Sequence, residues 1–206
     1  MAKAARFDGV DFSAQPVIKL TPSLANKGAG FRCERGEFVS FWRGGKIRKE
    51  EDTNVSRCWY IEGNGHLAGY ITLLADKLEL EQPPLEDEGI KYKTVPAIKI
   101  GWLAVDERTK GKFVGTRLVD WAIEYSADIV AKRMGVRFMT VDSFFDRDPD
   151  SNGKHYDASR FYKSMGFNFA NPEETLPPVD GYRTMYLDLK PFIDAFSEPT
   201  EVPVGE

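Results

Sequence analysis

The sequence predicts an α/β chain, of the α+β kind in which helices flank one mixed sheet, and three observations carry the prediction. A near-continuous apolar run at 96–105 (PAIKIGWLAV) precedes a helical stripe at 114–134, and a second strand-like run follows at 136–141 (VRFMTV). A crossover of that length makes the two strands parallel neighbours. Strand-like runs at 58–62 and 67–74 flank Gly63-Asn64-Gly65, where Asn-Gly supplies the positive φ angles of a tight hairpin. Late strands at 167–169 and 183–189 follow a short helix, 157–165, which stops at Gly166.

The elements can be justified in order. Residues 1–14 read as a flexible N-terminal arm, 15–195 as one domain and 196–206 as a disordered tail. The tail reading rests on SEPTEVPVGE, which has almost nothing to bury. Residues 14–20 form a first strand and 24–31 a turn. Phe38, Phe41 and Trp42 recur at helical spacing within 37–43. The charged run 46–52 reads as a solvated helix end or loop. Adjacent prolines make 81–89 an acidic loop, since they end regular pairing. Val114, Leu118, Ala122, Tyr125 and Ile129 place an apolar stripe on the helix that Gly135 closes.

Composition excludes several classes. With 42% hydrophobic and 13% aromatic residues, the chain can build one sizeable core. No apolar stretch approaches the roughly 20 residues that span a bilayer, so no membrane association is expected. The N-terminal MAKAARFDGVDF lacks an apolar h-region, so no secretory signal is expected. Cys33 and Cys58 are too few for a disulfide framework or a four-cysteine zinc site. They read as buried small apolar residues, and a reduced, cytoplasmic protein follows. The net charge of −4 is the wrong sign for a general nucleic-acid binder. tRNA is therefore not favoured as a partner, although a local basic patch can survive a negative total.

The chemistry concentrates in 101–118, GWLAVDERTKGKFVGTRL. A buried strand ends at Val105, a loop with Gly111 and Gly115 follows, and an amphipathic helix starts there. Free N–H groups and the positive end of the helix dipole make an anion site. Arg108, Lys110, Lys112 and Arg117 crowd the same loop, where cations oppose the dipole. A docked polyanion such as a pyrophosphate would explain them. The bland alternative is a solvated loop whose cations are offset by Asp106 and Glu107.

LAVDERTKGKFVGTRL resembles the acyl-CoA-binding motif of the GNAT superfamily, a Leu-Ala-Val strand end and a Gln/Arg-x-x-Gly-x-Gly/Ala loop. Lys110 takes the Gln/Arg position, Phe113 the first glycine position and Gly115 the second. Phe113 is the larger departure, since a side chain stands where backbone approaches phosphate. Its N–H can still serve if the ring turns away, so reshaped binding is expected. A second stretch, Ala158 to Phe167 (ASRFYKSMGF), resembles the family's Ala-x-x-Phe-Tyr-x-x-x-Gly-Phe segment. Together the two span about residues 98–167.

The resemblance implies a single domain with a central mixed, mostly antiparallel sheet, splayed at the acyl-CoA site and flanked by helices. It implies acetyl-CoA as cosubstrate, held by Leu103, Ala104, Val105, Lys110, Gly111, Lys112, Phe113, Val114, Gly115 and Thr116. The implied activity is acetyl transfer to a primary amine on a small molecule, a protein or an aminoacyl-tRNA. Tyr162 is implied as the general acid that protonates the CoA thiolate, and a phenol of pKa about 10 suits that role. Read as a residue alone, Tyr162 could equally be core, its hydroxyl tied to a backbone carbonyl. An N–H near Leu103 or Val105 is the expected donor to the carbonyl oxygen.

Many relatives place a glutamate on the strand before the loop, but 98–102 (IKIGW) has no carboxylate. Asp142, on the next strand, is the weak substitute and reads more simply as structural. Phe31-x-Cys33, 69–73 (GYITL), Leu-Ala-Val-Asp and Phe161-Tyr162 look most like the toxin-type branch that acetylates aminoacyl-tRNA.

The insertion 146–157 carries Asp146, Asp148, Asp150 and Asp157 at calcium-loop spacing, but Ser151 replaces the turn glycine and Asp157 the bidentate glutamate. We expect no metal there, but a solvated loop beside the acceptor site. His66 and His155 have no nucleophile partner. The alternative function is a non-catalytic acyl-CoA-binding module of the same fold. A homodimer is compatible with either.

Overall fold

In the computed structural model, which describes residues 6–21, 28–149 and 153–197, one seven-stranded sheet organises the chain. Its strands are β1 (Ile18–Lys19), β2 (Arg57–Gly63), β3 (His66–Glu79), β4 (Thr94–Val105), β5 (Phe138–Phe144), β6 (Asn168–Phe169) and β7 (Tyr182–Asp188). They lie in the order β1-β2-β3-β4-β5-β7-β6. Only the β4–β5 ladder is parallel; the other neighbours are antiparallel. The crossover between β4 and β5 and the hairpin between β2 and β3 therefore stand where the sequence expects them. Asn64 and Gly65 have φ of 50° and 74°, the left-handed pair that closes this hairpin.

Helices cover both faces. On one, α3 (Val114–Tyr125) lays Val114, Leu118, Val119 and Ala122 onto the main core, with Ile71, Ile100, Met139 and Met185 opposite. Each fully buried Val, Leu, Ile or Met side chain here is worth roughly 1.5–3 kcal/mol. Gly69 lets the helix start sit close: a Cβ there would meet the Ala104 carbonyl oxygen and Val114 Cγ1, both at 2.9 Å. On the other face, α1 (Gly36–Arg43) and α2 (Lys46–Asp52) close a second cluster of Phe31, Phe41, Trp42, Ile47, Tyr60 and Tyr70. The remaining helices are α4 (Ser159–Ser164) and α5 (Lys190–Ala195). No helix among the described residues is long and apolar enough to cross a membrane.

Several elements differ from the sequence reading. Residues 46–52 form a true helix because Ile47, 1% exposed, anchors an otherwise charged segment. The first strand shrinks to two residues. β3 runs on to Glu79 because β4 pairs it as far as Thr94. The long helix changes to a π turn at Ser126–Val130, and α5 was not anticipated. Residues 6–14, expected within the flexible arm, are packed: Phe7 and Phe12 are buried in the main core. Asn64 Nδ2 also donates to the carbonyls of Arg6 and Asp8. The rest of the arm, residues 1–5, and residues 198–206 of the tail lie outside the described residues, as does 22–27 of the expected turn.

The centre of the sheet positions the site. β4 carries one extra residue at Gly101–Trp102, because Leu73 pairs with Ile100 and Ile71 with Leu103. Thr72 fills the gap, its Oγ1 accepting from the Trp102 N–H at 2.9 Å. Glycine is required at the bulge: a Cβ on Gly101 would lie 2.7 Å from Leu74 Cδ2 and 2.9 Å from Thr72 Oγ1. The β4–β5 ladder runs from Ala97↔Phe138 to Ile100↔Val141 and goes no further. β5 continues beside β7 to Phe144↔Tyr182. The two central strands therefore part at Gly101.

Candidate active site

The parting of the strands exposes main chain. Asp106 N–H donates to the Ala68 carbonyl at 2.7 Å, and Trp102 N–H to Thr72, both toward β3. Strand alternation then directs the N–H groups of Leu103 and Val105 the other way, into the gap left by β5. Leu103 and Val105 are only partly buried, so the gap is open.

The following loop adds more free donors. Asp106 caps a short turn, Glu107–Thr109, and Gly111 and Phe113 take φ of 77° and 58° before α3 begins. Among the described residues, no acceptor is found for the N–H groups of Gly111, Phe113, Val114, Gly115 and Thr116. They cluster at the positive end of a twelve-residue helix, which suits an anion. Phe113 keeps its ring out of the cradle, 76% exposed to solvent. The non-glycine left-handed backbone costs about 1 kcal/mol. Gly115 faces α4, and a Cβ there would stand 3.7 Å from the Phe161 ring, so α3 and α4 approach closely at this point. Exposed strand amides followed by an anion cradle fit a thioester and a diphosphate.

The cations of the loop are less available than their number suggested. Arg108 is a structural strut: it binds Asp106 at 2.6 and 2.7 Å and the Gly30 carbonyl at 2.6 Å. Asp106 is fully buried and also accepts from the N–H groups of Arg32 and Arg108. Burial alone would raise its pKa, but Arg108 and these two amides outweigh burial and hold the carboxyl below its ordinary value. Lys110 pairs with Glu34 at 3.0 Å, and Lys112 donates to the Phe7 carbonyl at 2.9 Å. Arg117 Nε is buried and has no partner among the described residues.

Tyr162 lies in α4, buried in the main core, with edge-on rings of Phe161 and Phe167 at 5.1 and 5.6 Å. Its hydroxyl has no hydrogen bond among the described residues. Tyr70 shows the contrast, since its hydroxyl donates to the Phe38 carbonyl at 2.7 Å. The simple core reading, with a hydroxyl tied to backbone, therefore describes Tyr70 and not Tyr162. Burial pushes the Tyr162 phenol well above its ordinary pKa, and nearby Tyr156 adds to the effect. It stays protonated at neutral pH and can act as a proton donor.

Sequence reasoning missed Ser143. Strand alternation turns it to the same side as Val141 and Met139, toward α4, just beyond the last β4–β5 pair. It is 1% exposed and its hydroxyl has no partner among the described residues. A lone serine in a strand carries no signal in sequence; only the parting of the strands makes it notable.

On the opposite face of the parted strands Lys99, Asp142, Arg35 and Asp146 are paired. Lys99 Nζ lies 2.5 Å from Asp142, whose other oxygen accepts from Thr184 at 3.0 Å. Arg35 stacks 3.5 Å from the Phe144 ring centre and pairs with Glu37 at 2.6 Å and Asp146 at 3.6 Å. Tyr156, from the acidic insertion, is half exposed beside Phe144. Asp150, which the calcium template needs, lies outside the described residues. His155 stacks on Phe145, and Cys58 is buried and Cys33 half-buried.

A family model described as an acetyltransferase (GNAT) domain matches residues 54–169, more than half of the chain. The sequence matches no curated protein. Among solved structures, AtaT complexed with acetyl-methionyl-tRNAfMet is similar at a TM-score of 0.69 and 19% identity, over 89% of this chain and 99% of that one. A tyrosine-to-phenylalanine mutant of KacT gives 0.67 and 18%, over 88% and 99%. AtaTR bound with AcCoA gives 0.64 and 20%, over 89% and 98%. At such identities the likeness is one of fold. The chain belongs to the GNAT acetyltransferase family.

Proposed function

We propose that this chain transfers an acetyl group from acetyl-CoA to a primary amine. The observation that carries the reading is the separation of β4 and β5 at Gly101, which turns the Leu103 and Val105 amides toward an open gap. In this reading Gly111, Phe113, Val114, Gly115 and Thr116 hold the diphosphate through their N–H groups, and Lys110 and Lys112 lend charge. Leu103, Ala104 and Val105 flank the arm and the thioester.

The chemistry follows from what these groups can do. A neutral amine attacks the thioester carbonyl carbon, and an outward N–H of β4 takes up the charge that develops on the oxygen. The C–N bond forms, the C–S bond breaks, and the Tyr162 hydroxyl supplies a proton to the departing sulfur. The phenolate regains a proton from solvent, and the amine nitrogen loses its own to water. Asp142 is unsuited to take that proton, since Lys99 and Thr184 already occupy its oxygens.

Aminoacyl-tRNA is the acceptor to test first, because AtaT is complexed with an acetylated aminoacyl-tRNA. The net charge of −4 argues for small amines and proteins beside it. The test is thiol release from acetyl-CoA with a panel of aminoacyl-tRNAs, polyamines and peptides. Tyr162→Phe should lower turnover about 10²- to 10⁴-fold and leave acetyl-CoA affinity within twofold. Tight coenzyme A binding without thiol release from any acceptor would favour the binding-module alternative, to which the strained Phe113 and the occupied Asp142 lend support.

A further inference from the structure

Residues 32–35 bridge the two banks of the gap between β4 and β5. At one end the Arg32 carbonyl accepts from the Glu107 N–H at 2.9 Å, and the Arg32 N–H donates to Asp106 at 3.0 Å. These bonds tie the segment to the end of β4. At the other end the Arg35 guanidinium stacks 3.5 Å from the Phe144 ring centre, at the end of β5. Glu34 therefore stands across the mouth of the gap. The neighbouring carboxylates are committed elsewhere, Glu37 and Asp146 to Arg35 and Asp142 to Lys99. Glu34 instead pairs with Lys110 at 3.0 Å, and both side chains are more than half exposed. Tyr156 adds a half-exposed ring whose centre is 6.3 Å from that of Phe144. Burial raises the pKa of its phenol, Glu34 adds to the rise and Lys110 opposes it, so the hydroxyl lies near both.

Lys110 sets beside Glu34 a primary ammonium on a flexible stem, the same chemical group that the acceptor presents. It also directly precedes Gly111, the first of the loop residues whose N–H groups are unpaired. A diphosphate in that cradle carries more charge than one carboxylate, and an exposed ion pair is weak enough to give way to it. We infer that Glu34 receives the ammonium of the acceptor, and that Lys110 occupies the place until the diphosphate of the donor draws it away. The inference rests on the acyl-CoA reading above and deepens it: donor binding completes the acceptor site. Glu34 selects a cationic primary amine, and the Tyr156 ring offers a face beside it. The ammonium then gives its proton to water before attack.

Glu34→Gln tests both halves in the full chain. In calorimetry with coenzyme A, the variant should bind about two- to threefold more tightly than wild type, because Lys110 no longer has a rival partner. Lys110→Met should weaken coenzyme A about fivefold, and adding Glu34→Gln to it should change nothing further. In thiol release at saturating acetyl-CoA, Glu34→Gln should raise the KM of the best wild-type acceptor about tenfold, a larger change than in kcat. A structural Glu34 would shift donor and acceptor in the same direction; opposite signs are what an exchange of partners requires. Unchanged or weaker coenzyme A binding by Glu34→Gln overturns the exchange, whether or not an acceptor turns over. An unchanged acceptor KM overturns the role of Glu34 while the donor site stands. If wild type binds no coenzyme A, the acyl-CoA reading itself fails, and this inference with it.

Discussion

The two sides of the parted strands are built in opposite ways. On the α3 side, main-chain N–H groups and hydroxyls lack partners among the described residues: the amides of Gly111 and of Phe113 to Thr116, and the hydroxyls of Ser143 and Tyr162. On the other side Lys99, Asp142, Thr184, Arg35 and Asp146 are engaged with one another. Unpaired buried donors are destabilising unless something else satisfies them. On the proposed function, the α3 side keeps its hydrogen-bonding capacity for a ligand of constant shape. The opposite side has spent its charges on internal pairs, and an acceptor there must displace them or use the aromatic surfaces of Trp102, Phe144 and Tyr156. On the proposed function, the contrast teaches that donor binding rests on backbone geometry and acceptor choice on replaceable side chains.

Three further changes can break or sharpen this contrast. The largest effect is expected at Asp106, which ties the end of β4 to Gly30–Arg32 through Arg108. Asp106→Ala leaves a guanidinium and two N–H groups without their acceptor and should cost about 3 kcal/mol in urea unfolding. Its folded pKa is depressed, so the stabilisation is complete above the ordinary carboxylate pKa near 4. It is lost as pH falls through the lower folded value. The stability gap between wild type and Asp106→Asn should therefore be constant at neutral pH and close below about pH 4. A gap that persists unchanged in acid would show that charge is not what Asp106 contributes.

Gly101→Ala comes next. The added methyl must push aside Leu74 and Thr72, which should cost about 2 kcal/mol. It should also weaken acetyl-CoA binding, because the bulge that opens the strands is disturbed. Unaltered affinity in a destabilised protein would mean that the opening does not depend on the bulge.

The smallest effect is expected on the opposite side. Arg35→Ala removes a partly exposed ion pair and a ring contact, and stability should change by less than about 1 kcal/mol. Acceptor KM should rise with donor affinity unmoved. A loss of acetyl-CoA binding would erase the distinction between the two sides.

Much of this was legible in the sequence, for reasons that particular residues make plain. Asn64-Gly65 is a local signal, since the φ angles of a tight hairpin are a property of those residues themselves. The stripe from Val114 to Ala122 announces a helix because side chains at that spacing share one face. The free N–H groups at the start of α3 were readable because the first turn of a helix leaves its amides without intrahelical acceptors. Other features gave no such signal. Ile47 holds a charged run as a helix only because the cluster that includes Tyr60 and Tyr70 takes up its side chain. Phe7 and Phe12 look like part of a loose arm until the β2–β3 hairpin gives them something to cover. Arg108 counts as one more cation of the loop until Asp106 and the Gly30 carbonyl claim it.

By itself, then, the sequence determined the kinds of element, their order, the family motif and the tyrosine. The tertiary structure alone decided where β4 and β5 part, which N–H groups and hydroxyls are left unsatisfied, and which charges are already taken. The physical reason is range: turn and helix preferences act over a few residues, whereas satisfaction of a polar group depends on whichever segment the fold brings beside it.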